Sequence, residues 1–141
     1  MSIHTVAKAD NYVVGEVGKF SGLDKFENGK AFLGQALGLT SMEVSITKFK
    51  PGTAVPFFHD HKNHEEVYII VSGAGEFQLN DKVVKVSEGS VVRISPGVSR
   101  NIKNTGKTDL IVICAQAERD SIKAPFTEDF IMTKTDAKFS K

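Results

Sequence analysis

With 141 residues, of which 40% are hydrophobic and 25% charged, the chain has room for one domain with a proper core and little more. Lys and Arg number 18 against 17 Asp and Glu, a net charge of +1, which excludes the strong field that draws in nucleic acid or an anionic membrane. No apolar run reaches the length of a membrane span, residues 1–10 lack the apolar core of a signal peptide, and a single cysteine excludes an intrachain disulfide, so a cytoplasmic address is expected.

Residues 1–40 are expected to supply strands or a short helix that pack on the unit that follows. Within them, 29–39 (GKAFLGQALGL) carries apolar side chains without a clean period, and its glycines weaken a helix, so an extra strand and a short helix both stay open. Residues 41–49 (SMEVSITKF) alternate, with Met42, Val44 and Ile46 on one face and Glu43, Ser45 and Thr47 on the other, the period of a half-buried strand. Val67–Val71 is β-branched and aromatic, which suits a strand covered on both sides. Glu76–Leu79 and Lys82–Val86 flank Asn80-Asp81, a pair that tolerates positive φ and so predicts a hairpin. Val91–Ile94 is a further strand, and a turn at 104–107 leads into the last strong one, Leu110–Ala115. Short strands separated by turn signals over 41–117 indicate one all-β unit, a sandwich or a barrel. Residues 118–141 form a charged extension, yet Pro125-Phe126 and Phe130-Ile131-Met132 are too apolar for a solvated tail. That segment is expected to dock on the barrel or on a partner chain, and a homodimer is expected.

The chemistry concentrates between Gly52 and Gly73. His59 and His61 are one residue apart and precede Glu65-Glu66. In extended backbone, residues two apart point to the same face, so both imidazoles can converge on one point. Adjacent Glu65 and Glu66 point to opposite faces, so only one can join them. Two histidines and a carboxylate are the ligand type of non-haem iron and related divalent metals. By the same parity Phe57 faces inward with the histidines, and Phe58 faces away. His64 is expected in an exposed loop, His4 at the surface, and Arg93 toward solvent. Cys114 lies in the apolar run Leu110–Ala115, so a buried, inert thiol is expected.

The stretch resembles the first motif of the cupin superfamily, G-x5-H-x-H-x3,4-E-x6-G. His59-Asp60-His61 is followed by four residues, Glu66, six residues and Gly73, while Gly52 precedes His59 by six residues instead of five. A second motif, G-x5-P-x-G-x2-H-x3-N, is matched in part. Gly89 is followed by Ser95 where proline is usual, then by Pro96 and Gly97; Arg100 replaces the histidine, and Asn104 keeps its spacing. The resemblance implies a single-domain jelly-roll β-barrel. It selects Glu66 as the third metal ligand with His59 and His61, leaving Glu65 at the rim. Tyr68 and Ile70 share the face of Glu66 and are expected to line the pocket with Phe57 and Arg100. The implied cofactor is a divalent metal such as iron, manganese, zinc or nickel, and the implied partner is a small molecule, with neither nucleic acid nor membrane.

Arg100 decides between mechanisms. It can ion-pair with Glu66 in a metal-free pocket, turn outward, or hold the carboxylate or phosphate of a substrate with its planar fork. Two functions follow. One is a metal-dependent enzyme, such as a dioxygenase or sugar isomerase. The other is a metal-free binding or sensing module with Arg100 anchoring an anion.

Overall fold

The computed structural model describes residues 2–140. Ten strands run in chain order: β1 (His4–Ala9), β2 (Tyr12–Glu16), β3 (Lys30–Phe32), β4 (Glu43–Phe49), β5 (His64–Ser72), β6 (Ala74–Leu79), β7 (Lys82–Ser87), β8 (Val91–Ile94), β9 (Arg100–Lys103) and β10 (Leu110–Glu118). Two single helical turns, α1 (Gly34–Leu37) and α2 (Phe126–Asp129), and 3-10 turns at Phe20–Lys25 and Glu27–Gly29 complete the elements. A five-stranded sheet in the order β3-β4-β10-β5-β8 faces a three-stranded sheet, β7-β6-β9, and their pairings are antiparallel. This is the expected jelly-roll barrel.

The barrel core is where side chains of alternate parity meet between the sheets. Ile70, Phe77, Val86, Ile94, Ile102, Leu110 and Val112 form one buried cluster. A second cluster lies on the outer side of the large sheet, where Leu23 and Phe26 cover Ala31, Ile46 and Ile111. The N-terminal region thus acts as a lid on β4 and β10. This corrects the reading of β4 as half-buried: Ile46 faces the lid, Ser45 and Thr47 face the barrel interior, and Ser45 is only 5% exposed. Residues 29–39 hold both of the elements left open, β3 and then α1. In β5 the strand is longer than 67–71, and Ile69, at 38% exposure, is not covered on its outer side.

Turn chemistry follows the sequence. Asn80 takes a φ of 55° in the β6–β7 hairpin. Gly73 has a φ of 86°, and a β-carbon there would collide with the Asp109 carbonyl and the Leu110 Cα, so glycine is required where β5 turns into β6. Asn104 is fully buried. Its Nδ2 donates to the carbonyls of Phe49 and Thr108, both at 2.8 Å, while its Oδ1 accepts from Gly106 N–H at 2.9 Å. One side chain therefore closes the turn before β10 and ties it to the end of β4.

The extension differs from expectation. Every described residue from Glu118 onward is exposed, including Ile122, Phe126, Phe130, Ile131, Met132 and Phe139. It does not dock on its own barrel. β1 and β2 form a separate two-stranded sheet with no hydrogen-bonded partner strand among the described residues.

Candidate functional site

The histidines arrive on an irregular extended segment, not on a strand. Residues 53–63 run beside β9 and are pinned to it at intervals. Ala54 bridges Lys103, His59 bridges Arg100, and Asn101 Nδ2 donates to the Val55 carbonyl at 2.8 Å. The His59–Arg100 bridge uses both backbone groups, Arg100 N–H to His59 O at 3.0 Å and His59 N–H to Arg100 O at 3.3 Å. It fixes His59 directly across from Arg100. Gly97 N–H donates to the His61 carbonyl at 3.1 Å, so the turn carrying the second motif also holds the first.

Glu66, on β5, is 3% exposed and gathers the site around its carboxylate. Oε1 accepts from the Arg100 Nη2 group and from the Tyr68 hydroxyl at 3.0 Å. Oε2 accepts from Cys114 Sγ at 3.2 Å and from Gln116 Nε2 at 3.4 Å, with His61 Nε2 at 3.5 Å. Arg100 is 1% exposed, and its Nη1 donates to the Val98 carbonyl at 2.9 Å. Arg100 has therefore adopted the first of its three arrangements, the ion pair with Glu66. Both of its Nη groups are committed to protein acceptors, while its Nε is buried without a partner.

The electrostatics follow from this packing. Burial pushes the Glu66 carboxyl up, but the hydrogen bond from Arg100, that from Cys114 and the Arg100 charge outweigh it and hold the group below its ordinary range. Burial pushes the Cys114 thiol up to about 12, reinforced by the Glu66 charge, so the thiol is protonated and inert as expected. Its position was not expected: it faces the polar centre and donates to it. Burial, then the Arg100 charge, lowers the pKa of His59, which keeps that imidazole neutral.

His59, His61 and Glu66 each offer a ligand atom, and these lie within 4.8 Å of one another. Atoms opposite each other on one ion, at bond lengths near 2.2 Å, are about 4.4 Å apart. The set therefore needs only a small adjustment to share an ion. His59 Nδ1 is buried with no hydrogen-bond partner, the condition of a donor atom awaiting a cation or a proton. In donor type and spacing the three residues fit a divalent metal. In charge they fit it poorly, because Arg100 already neutralises Glu66.

The other candidates fall around this centre. His64 opens β5, is exposed, stacks on His61 with ring centroids 5.9 Å apart, and has Nδ1 2.8 Å from Gln116 Oε1. It is thus the first residue of a strand, not of a loop. Phe57 stands 59% exposed at the mouth, edge-on to His59 at 5.9 Å. Tyr68 lines the cavity; Ile70 has the same parity but is 1% exposed and packed into the apolar core, so it does not line the cavity. Phe58 and Arg93 are exposed.

A cavity of about 170 Å³ adjoins the polar centre and is lined by its Tyr68, Cys114, Arg100 and His59 together with Lys30, Ser45 and Thr47. It opens past Phe57 and Val55 into a groove of about 1150 Å³ bounded by the N-terminal lid and residues 47–57. Lys30, Ser45 and Thr47 were missed in the sequence. The one available signal was the alternation of β4, which placed Ser45 and Thr47 on a common face.

A two-sheet jelly roll with a His-His-Glu group and a cavity inside the barrel defines the class, a jelly-roll β-barrel protein. Residues 45–116 match the family described as cupin domain; the chain belongs to the cupin family. A cupin protein from Bacteroides fragilis superposes with a TM-score of 0.78 at 28% identity, covering 89% of this chain and 99% of that one. A Thermotoga maritima protein, predicted to be an oxalate decarboxylase, superposes with a TM-score of 0.58 at 25% identity over 83% of this chain and 92% of that one. An uncharacterised protein of Methanocaldococcus jannaschii is 32% identical over 56 residues, 40% of this chain and 45% of that protein. That match spans under half of the relative's length.

Proposed function

We propose that this cupin is a small-molecule binding or sensing module whose polar centre works without a metal. The buried Arg100–Glu66 pair carries this reading. The Glu66 charge is balanced inside the protein, and a divalent ion at Oε2 would add charge beside a guanidinium that is almost fully buried. The adjoining cavity, about 170 Å³, is of the order of the ~150 Å³ that admits benzene in an apolar pocket. A small organic molecule is the occupant this size supports.

The second reading is a metal-dependent enzyme, such as a dioxygenase or sugar isomerase, with His59, His61 and Glu66 as ligands. The unpartnered His59 Nδ1 favours it. A bound iron, manganese, zinc or nickel ion would supply Lewis-acid or redox chemistry, with the two imidazoles and Glu66 Oε2 holding it. Elemental analysis of protein purified without chelator separates the readings. Metal well below one equivalent is expected, with no change in His59→Ala. One equivalent of metal in the parent, lost in a folded His59→Ala, would replace the first reading with the second.

The proposal extends to a cytoplasmic homodimer. An isolated two-stranded hairpin is marginal in water, yet β1–β2 has no partner strand among the described residues, and Val6, Tyr12 and Val14 on it are exposed. A second copy that covers this hairpin and the apolar residues near Phe130 accounts for both. Light scattering at micromolar concentration is expected to give twice the chain mass; the monomer mass would refute it.

A further inference from the structure

Both Nη groups of Arg100 are spent on Glu66 and Val98, and Glu66 balances its charge, so the uncompensated charge in the cavity lies elsewhere. No aspartate or glutamate is among the residues that line it. Lys30 is the other cation there, and it enters from β3, outside both sequence motifs. Register explains its direction. Lys30 pairs with Thr47 and Phe32 with Ser45 across β3 and β4, so all four share a face, the one on which Ser45 and Thr47 line the cavity.

The ammonium of Lys30 has no carboxylate within ion-pair distance among the described residues. It lies 4.8 Å from the centre of the Phe32 ring, a cation–π contact at the rim. Lys48, one position along from Thr47, shows the contrast: its Nζ meets Asp24 at 2.7 Å and Asp109 at 3.4 Å. Lys48 is neutralised and holds the lid to the barrel, whereas Lys30 remains uncompensated where the groove narrows into the cavity. The Ser45 and Thr47 hydroxyls stand on the same wall. Phe49, Phe77, Ile102 and Val112 form an apolar part of the wall, beside Tyr68, Arg100 and Cys114 of the polar centre.

We propose that Lys30 is the anion-binding residue of this cavity, and that its ligand is a small organic monocarboxylate. The carboxylate meets Lys30, Thr47 and Ser45 at the entrance, and the apolar body points toward Phe77 and Val112. This rests on the binding-module reading and sharpens it by assigning the ligand one negative charge. One uncompensated cation and the apolar wall of Phe77 and Val112 match one carboxylate on a compact hydrocarbon body. A second carboxylate deep in the chamber would be buried with no uncompensated cation beside it, because Glu66 already balances Arg100.

The test compares monocarboxylates from acetate to benzoate with their neutral amides by calorimetric titration of the full chain. Lys30→Met preserves side-chain length, and Lys30→Arg preserves charge. The expected result is at least one carboxylate bound at least tenfold more tightly than its amide. Lys30→Met is expected to abolish that preference and Lys30→Arg to retain it. If parent and Lys30→Met bind acid and amide alike, the assignment of Lys30 is overturned while the binding module stands. If no acid or amide binds the parent, both fall together. Ligand-detected NMR on the same samples, with the dispersion of the protein amide spectrum as a check, keeps a misfolded Lys30→Met from passing as a loss of preference. In that event Lys30→Glu takes its place, and a carboxylate preference that survives the charge reversal overturns the assignment.

Discussion

Replacing Glu66 by alanine is expected to cost about 3–5 kcal/mol of folding stability, the loss typical of a broken buried ion pair. The reason is what stays behind. Arg100 is 1% exposed and its nearest charge partner is Glu66, so truncation strands a guanidinium in the barrel centre and also leaves the Tyr68 hydroxyl and Cys114 thiol without their acceptor. The double variant Glu66→Leu/Arg100→Met removes both charges at similar volume and is expected to recover most of the loss, since the pair contributes little net stability over an apolar pair. Urea denaturation of the parent, both single variants and the double variant closes the cycle. Single variants as stable as the parent would mean that Arg100 reaches solvent or another acceptor. The same pair sets an acid limit. The folded-state pKa of Glu66 lies below the ordinary glutamate value of about 4.5, so its contribution is fully present above that value and is lost as pH falls through the lower, folded value. Melting temperature should therefore drop below about pH 4.5 in the parent, and Glu66→Gln, with no carboxyl to titrate, should lack that part of the drop.

The contrast between Glu66 and its neighbours shows what the chain disclosed and what it withheld. Spacing placed His59, His61 and Glu66 together, because parity and near-fixed intervals survive even where the backbone is an irregular segment pinned to β9 instead of a strand. Parity gave Ile70 the right face but not the right depth: along a barrel strand the same face passes from polar centre to apolar core, and Ile70 belongs to the core. Lys30 could not be found from its own surroundings. Its β3 strand has three residues, too few to show a period, and only pairing with β4 turns it inward. Cys114 was read correctly as an inert thiol, yet its acceptor is 48 positions away, a separation that local pattern cannot see. The apolar residues after Pro125 suggested a docked segment, but the single chain leaves them exposed; what covers them lies in another molecule or in none.

Arg100→His carries the other large effect, on metal affinity. In the parent, the guanidinium stands where the family's second motif places a histidine, and it holds the Oε1 side of the Glu66 carboxylate. At a separation of about 6 Å and an effective dielectric near 20, one positive charge repels a divalent ion by roughly 5 kcal/mol, an upper-end figure. Histidine removes that repulsion and releases Glu66, and it completes a set of three imidazoles and one carboxylate with His59 and His61. Because the smaller ring also gives up the bond to Val98, part of the gain is spent on local rearrangement. A tightening of divalent-metal binding by at least tenfold, about 1.4 kcal/mol, is the expected outcome. Titration of parent and variant with nickel, manganese and zinc reads it directly, and His59→Ala in the Arg100→His background should reverse it. Equal affinities in parent and variant would place the metal-binding atoms away from Arg100, and the Arg100–Glu66 pair would then no longer account for a metal-free centre.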